Sequence, residues 1–184
     1  MSQPQADATQ ATRWNSRVVV FALTATLGTT YMAGFNVFIP LVADTFHSSV
    51  PVVGQITTAM FFVGALSGVV IGPLADHYGH RRFIMAGALL VMIGSLGTAF
   101  APSVPALFVV RILTAMSGGM LSGVTLGAVA TFFAGDERRK AMSWVVAGIA
   151  GGPIVGIPFL TLIASVSSWR GAFVVLAALS VPIM

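Results

Sequence analysis

The chain has 184 residues, of which 57% are hydrophobic and only 8% charged, and its mean hydropathy is +0.95. A soluble domain needs roughly 25% charged residues to solvate its skin, so this composition excludes an ordinary soluble enzyme and a disordered chain and makes lipid the solvent. The net charge of +4, nine Lys and Arg against five Asp and Glu, points to membrane orientation rather than nucleic-acid binding; the lack of cysteine excludes disulfides, thiolate metal sites and a cysteine nucleophile.

A helix crossing the hydrocarbon needs about 20 apolar residues. Residues 1–17 are read as a cytoplasmic tail whose first dozen positions are polar and expected to be mobile. Charges then cut the chain into apolar runs at 18–43, 50–75, 83–101, 104–133 (interrupted by Arg111), 141–164 and 171–184. The prolines of Ala101-Pro102-Ser103-Val104-Pro105 mark a turn, and Gly135-Asp136-Glu137-Arg138-Arg139-Lys140 a hydrophilic break. The last run has fourteen residues, too few to span, so the chain reads as ending inside its sixth helix. The runs lack the alternation of barrel strands, and the first is too long for a signal peptide and lacks a small-residue cleavage site. The fold class expected is an all-α membrane protein. Alternating spans place Arg13, Arg17, Arg81, Arg82, Arg138, Arg139 and Lys140 on one side and only Arg170 on the other, which makes the N-terminus cytoplasmic.

The turn after helix 2 reads Gly72-Pro73-Leu74-Ala75-Asp76-His77-Tyr78-Gly79-His80-Arg81-Arg82. A carboxylate at a helix end, followed by a glycine turn and a basic cluster, can fasten two helices; the plainer reading is a solvated turn whose arginines set orientation. In this position the stretch resembles the loop G-x-L-A-D-[RK]-x-G-[RK]-[RK] of the major facilitator superfamily of secondary transporters, with Gly72, Leu74, Ala75, Asp76, Gly79 and Arg81 matching. The resemblance makes Gly72, Asp76, Gly79, Arg81 and Arg82 a conformational-switch loop. His77 and His80 stand where basic residues are usual; they are expected to be exposed and functionally silent, the alternative being a loop charge that depends on pH.

Arg111 lies about seven residues into helix 4 from the outer side. A guanidinium in a span faces a cavity or a partner, or else snorkels to the interface. Proton-coupled drug exporters of the superfamily carry R-x-x-Q-G there; Arg111-Ile112-Leu113-Thr114-Ala115 retains only the arginine, and the resemblance implies a role in proton coupling. Helix 5 contains Gly148, Gly152, Pro153 and Gly156 in a pattern similar to the antiporter motif G-x-x-x-G-P-x-x-G-G, with Ile157 in place of the last glycine. Independently of the family, glycines four apart share a helix face and permit close backbone approach. The same holds for Gly64, Gly68 and Gly72 in helix 2 and for Gly119, Gly123 and Gly127 in helix 4.

No Asp, Glu, Lys or His falls inside a complete span, and neither phosphate-binding nor metal motifs occur. Near Asn36-Val37-Phe38-Ile39-Pro40, which resembles helix 1 of some drug exporters, Tyr31 occupies the usual acid position; Tyr31 and Asn36 are the substrate-cavity candidates. The resemblance implies a transporter rather than an enzyme, requiring no cofactor, in the plasma (inner) membrane. It implies the N-terminal six-helix bundle of the major facilitator fold, truncated within helix 6, with two inverted three-helix repeats. The expected partners are the lipid bilayer, a small-molecule substrate, protons and a C-terminal half-transporter missing from this chain. The leading expectation is efflux of drug-like or amphipathic molecules by proton antiport, with the chain alone unable to transport. The alternatives are a sugar or metabolite exporter of the same fold and a non-transporting component that assembles with a partner.

Overall fold

The computed structural model describes the backbone of residues 3–183 and side chains from Val18 onward. The first helix, α1, runs Gln3–Thr45, of which Val18–Thr45 is the apolar span. The side chains of residues 1–17, including Trp14, Arg13 and Arg17, lie outside the described residues, and so does the expectation of a mobile tail. There follow α2 (Val50–Tyr78), α3 (His80–Phe100), α4 (Val104–Phe132), α5 (Gly135–Val166) and α6 (Trp169–Ser180), the last continued by a 3₁₀ turn at Val181–Ile183. Among the described residues, five helices are long and apolar enough to cross a membrane, and Trp169–Ile183 is a shorter apolar helix. In lipid every backbone donor and acceptor has to pair within the protein, and uninterrupted helices accomplish this locally.

The boundaries differ from the apolar runs where charge sits at a helix end. The hydrophilic stretch at 135–140 is the first turn and a half of α5, not a loop. Asp136 and Glu137 there face the positive end of the helix dipole, and Arg139 pairs with Asp136 at 2.7 Å in the open. Likewise α2 continues through Asp76 to Tyr78, and a single residue, Gly79, separates it from α3. Gly79 has φ 97 and returns its N–H to the Ala75 carbonyl at 2.9 Å. Side chains rarely tolerate that backbone, so glycine is needed at the break. Polar residues extend these helices because the chain beyond the hydrocarbon remains helical into water.

The closest packing is α1 on α5; α4 packs on both α2 and α3, and α3 packs on α6 as well. The α1 span is the most enclosed, with 56% of its most apolar window buried against 22% for α2 and 11% for α5, so α1 is the centre of the bundle. Its inner face (Leu27, Tyr31, Phe35, Phe38, Val42) joins Ile56 and Met60 of α2, Leu107 and Leu121 of α4, and Phe173 and Leu176 of α6 in one core. The glycine stripes serve unequally. On α5, Gly148 and Gly152 meet α1 so closely that a Cβ would stand 2.5 Å from the Ala22 carbonyl and 2.8 Å from that of Thr26, and one on Gly156 would strike Thr30. Between α2 and α4, a Cβ on Gly64 would stand 3.3 Å from the Ala115 carbonyl and one on Gly119 3.3 Å from the Gly68 backbone, whereas a Cβ on Gly68, Gly72 or Gly123 would have nothing within 4 Å.

Candidate functional site

The interior of the bundle encloses a cation. Arg111, two turns from the N-terminus of α4 at Val104, is fully buried and does not snorkel. Its guanidinium carbon lies 4.2 Å from the ring centre of Phe35, 4.9 Å from Tyr31 and 5.2 Å from Phe173. Tyr31 and Phe35 share a face of α1 because they are four apart, and α6 brings Phe173 against Phe35 at 6.2 Å between centroids. A guanidinium in a span costs about 2.5–3.5 kcal/mol on insertion scales. Each desolvated cation–π contact returns about 0.5–2 kcal/mol, so three rings offset a cost of that size. The donors are another matter: Nε, Nη1 and Nη2 are all buried without a well-formed hydrogen bond among the described residues, the Tyr31 oxygen being a loose neighbour at most. An unmade buried hydrogen bond costs about 1–3 kcal/mol. The cage therefore accommodates the charge and leaves its hydrogen-bonding capacity unspent.

Tyr31 is held in place from α4. Its hydroxyl is 2.6 Å from Thr114 Oγ1, and Thr114 spends its own proton on the Val110 carbonyl at 2.8 Å, so the phenol donates. Gly94 of α3 makes room for this pair: a Cβ there would lie 2.6 Å from Thr114 Oγ1 and collide with the tyrosine hydroxyl. Asn36, about 140° further round α1 at 100° per residue, is exposed. The structure thus brings Tyr31 to Arg111 and leaves Asn36 apart. Phe35, Phe173, Thr114 and Gly94 belong to the site although sequence reasoning passed over them. Phe35 lies one turn from Tyr31 and Thr114 one turn from Arg111, a spacing that could have indicated both.

Two further features bear on the site. Two turns inward from Arg111, α4 departs from α geometry in a π turn, Gly119–Gly123, an irregularity found at functional places in helices. On the α5 face of α1, Thr26 donates to the Gly148 carbonyl at 3.1 Å and Thr30 to that of Gly152 at 3.0 Å. The α5 motif is therefore a seam with the central helix, and Pro153 lies within an unbroken helix.

At the opposite end, the switch loop is assembled differently from the expectation. His80 is buried rather than exposed, with its Nε2 3.1 Å from Asp76 Oδ1 across the Gly79 break. Its ring lies edge-on to Phe132 of α4 at 6.5 Å, and Gly127 of α4 leaves space for it, since a Cβ there would be 3.2 Å from the imidazole. The reason is register: position 80 is the first residue of α3 and turns inward, whereas His77, Arg81 and Arg82 are exposed. Among the described residues Asp76 pairs with His80, not with either arginine.

The family model described as Major Facilitator Superfamily matches residues 19–184. The chain is 26% identical over 140 residues to the quinolone resistance protein NorB of Staphylococcus aureus, in strains JH9 and Newman alike, covering 74% of this chain and 29% of that protein. Its fold is similar to the solved structure of the proton:xylose symporter XylE bound to 6-bromo-6-deoxy-D-glucose, with a TM-score of 0.83 at 17% identity, covering 94% of this chain and 44% of that one. The chain therefore spans less than half the length of either relative.

Proposed function

The chain belongs to the Major Facilitator Superfamily of membrane transporters, and from that premise we propose that it forms the N-terminal bundle of a secondary exporter of drug-like, amphipathic small molecules driven by proton antiport. The observation that carries the reading is Arg111, a fully buried cation in a bundle whose other buried polar side chains among the described residues are serines, threonines, Tyr31 and, near one end, His80. Buried charges inside spans mark substrate and ion pathways. The likeness to a quinolone resistance protein and the antiporter-like glycines of α5 favour drug export over sugar transport. In this reading a C-terminal half supplies the second bundle, and alternating access comes from one bundle rocking on the other. The seam between α1 and α5 and the Asp76–His80 break move as units. No carboxylate lies inside the spans, so Arg111 acts on coupling through its field while the proton is carried elsewhere in the transporter. The membrane is the plasma (inner) membrane, with the N-terminus and the residues around Arg139 in the cytoplasm.

The test uses inverted membrane vesicles from cells expressing the complete gene that encodes this chain. A pH gradient is imposed, and uptake of a fluorescent lipophilic cation and of a quinolone is followed. Gradient-driven accumulation that a protonophore collapses and Arg111→Met removes is the expected result. Accumulation of a sugar in place of both probes would establish the alternative exporter, and no gradient-driven uptake of any of them would remove the transport reading.

A further inference from the structure

The caged guanidinium poses a problem of pairing. Its charge rests on three aromatic faces, none of its nitrogens has a well-formed hydrogen bond among the described residues, and the acids among those residues, Asp44, Asp76, Asp136 and Glu137, lie at helix ends outside the core. The Tyr31 hydroxyl, whose proton goes to Thr114, is near enough to interact with the guanidinium through its oxygen, but one oxygen leaves most of the five N–H donors free. A positioned, desolvated arginine with free donors is a receptor for an anion, and its planar fork matches the two oxygens of a carboxylate better than it matches a spherical ion. The cage further specifies the ligand: Phe35 and Phe173 offer an aromatic wall beside the charge, where an arene packs in offset or edge-on geometry.

We infer that Arg111 with its aromatic cage is the recognition site for an aromatic carboxylate, the anionic group of the transported molecule. This rests on the reading of the chain as part of a carrier of amphipathic small molecules and names organic anions and zwitterions as cargo within that class. The site is closed in this structure, since Arg111 has no exposed surface, and the π turn at Gly119–Gly123 gives α4 a local irregularity at which to open it.

The purified chain in lipid nanodiscs is titrated with radiolabelled benzoate, and sodium chloride and benzylammonium chloride serve as competitors. Saturable benzoate binding is expected that benzylammonium does not displace and chloride displaces only weakly. Truncating one member of a buried charge pair costs 30-fold or more in affinity, roughly, so Arg111→Met should lose binding by about that factor. Arg111→Lys, which retains charge without the fork, should fall between, and Arg139→Met, at the exposed start of α5, should bind as wild type. Thermal unfolding of each variant separates a lost site from a lost fold. No saturable binding to the wild-type chain, equal binding by folded Arg111→Met, or displacement by chloride as effective as by unlabelled benzoate would each overturn the inference. Benzoate binding without transport in the vesicle assay removes the exporter reading alone; export of lipophilic cations without benzoate binding removes this inference alone.

Discussion

Thr30 of α1 donates its hydroxyl proton to the Gly152 carbonyl of α5 across 3.0 Å, and one turn away the Thr26 hydroxyl is shared between the Gly148 carbonyl at 3.1 Å and the Ala22 carbonyl of its own helix at 2.8 Å. Lipid tails are as apolar as the helices, so association in the bilayer depends on close van der Waals packing, with interhelical hydrogen bonds averaging only about 0.6 kcal/mol each. The hydroxyls reach carbonyls of the neighbouring helix only because glycine leaves those carbonyls uncovered. Close packing therefore contributes more to the seam than the hydroxyl rungs do, and the rungs set its register.

The first prediction separates packing from hydrogen bonding. Gly152→Leu drives a side chain into a space where the Cβ alone would be 2.8 Å from the Thr26 carbonyl, and overpacking of this kind costs about 1–3 kcal/mol or more. Thr30→Val removes one rung and should cost about 0.6 kcal/mol. Thermal unfolding in detergent should rank Gly152→Leu well below Thr30→Val. Equal stability of Gly152→Leu and wild type would mean that the glycine face does not carry the α1–α5 seam.

The second concerns Asp76 and His80, 3.1 Å apart with the carboxylate largely open to water. The pair bridges the Gly79 break and joins the end of α2 to the start of α3. From α4 the imidazole meets Phe132 and Gly127, neither charged; on its own side, His77, Arg81 and Arg82 are its charged or titratable sequence neighbours. With one partner exposed the effect is at most about 1 kcal/mol. His80→Gln should lower the unfolding temperature slightly, and the difference should disappear in the Asp76→Asn background. Asp76→Asn should also impair transport at normal expression. A His80→Gln effect undiminished by Asp76→Asn would show that His80 acts by packing alone.

The spans were legible in the sequence because charge and hydropathy are properties of composition, and lipid punishes any charge left in the middle of a helix. The switch loop, the buried arginine and the α5 glycines were legible because each is a local pattern. What escaped is what depends on juxtaposition. Nothing in a linear reading brings Phe173 of α6 against Arg111 of α4. Nor does it distinguish Gly119, packed on Gly68, from Gly123, which meets nothing. The inward turn of His80 follows from where α3 begins, and the first residue of a helix is a matter of one residue either way. The start of α5 escapes a linear reading because charge suggests a loop, whereas a helix leaving the bilayer tolerates charge without ending.

Arg170 provides the third prediction. It lies at the start of α6 and closes the end of α3 with both arms of its fork. Nη1 donates to the Ala99 carbonyl at 2.7 Å and Nη2 to that of Ala101 at 3.2 Å, with the guanidinium 4.9 Å from the Trp169 ring. Carbonyls at a helix C-terminus have no helical donors. Charged hydrogen bonds contribute about 1.5–3 kcal/mol, so Arg170→Ala should lower the unfolding temperature clearly. Arg170→Lys, lacking the fork, should recover only part of the loss. Full recovery by lysine would indicate that the charge alone matters.

Orientation is the fourth. The chain contains no cysteine, so single replacements give unambiguous labelling. In intact cells an impermeant thiol reagent should modify His47→Cys, in the α1–α2 turn, and spare Arg139→Cys until the membrane is permeabilised. The reverse pattern would invert the topology and place the Asp76–His80 break outside.

The fifth prediction turns on the sign of a single substitution. Were Arg111 a structural strut, removing it would destabilise the bundle. Its nitrogens make no hydrogen bond within the described residues, so Arg111→Met removes a buried charge and leaves no partner stranded. Replacing buried ions by apolar residues of similar volume is often neutral or stabilising by about 1–4 kcal/mol, so Arg111→Met should be at least as stable as wild type. Phe35→Leu removes the nearest ring, 4.2 Å from the guanidinium, and should cost both packing and about 0.5–2 kcal/mol of cation–π attraction. In the Arg111→Met background the second of these costs disappears. A double-mutant cycle on unfolding free energies should therefore give a favourable coupling between Phe35 and Arg111 of about that size. Strong destabilisation by Arg111→Met with no coupling to Phe35 would mean that the arginine has a partner elsewhere and that the rings only surround it. Stability retained with transport lost would instead separate what the arginine does for the fold from what it does for the cargo.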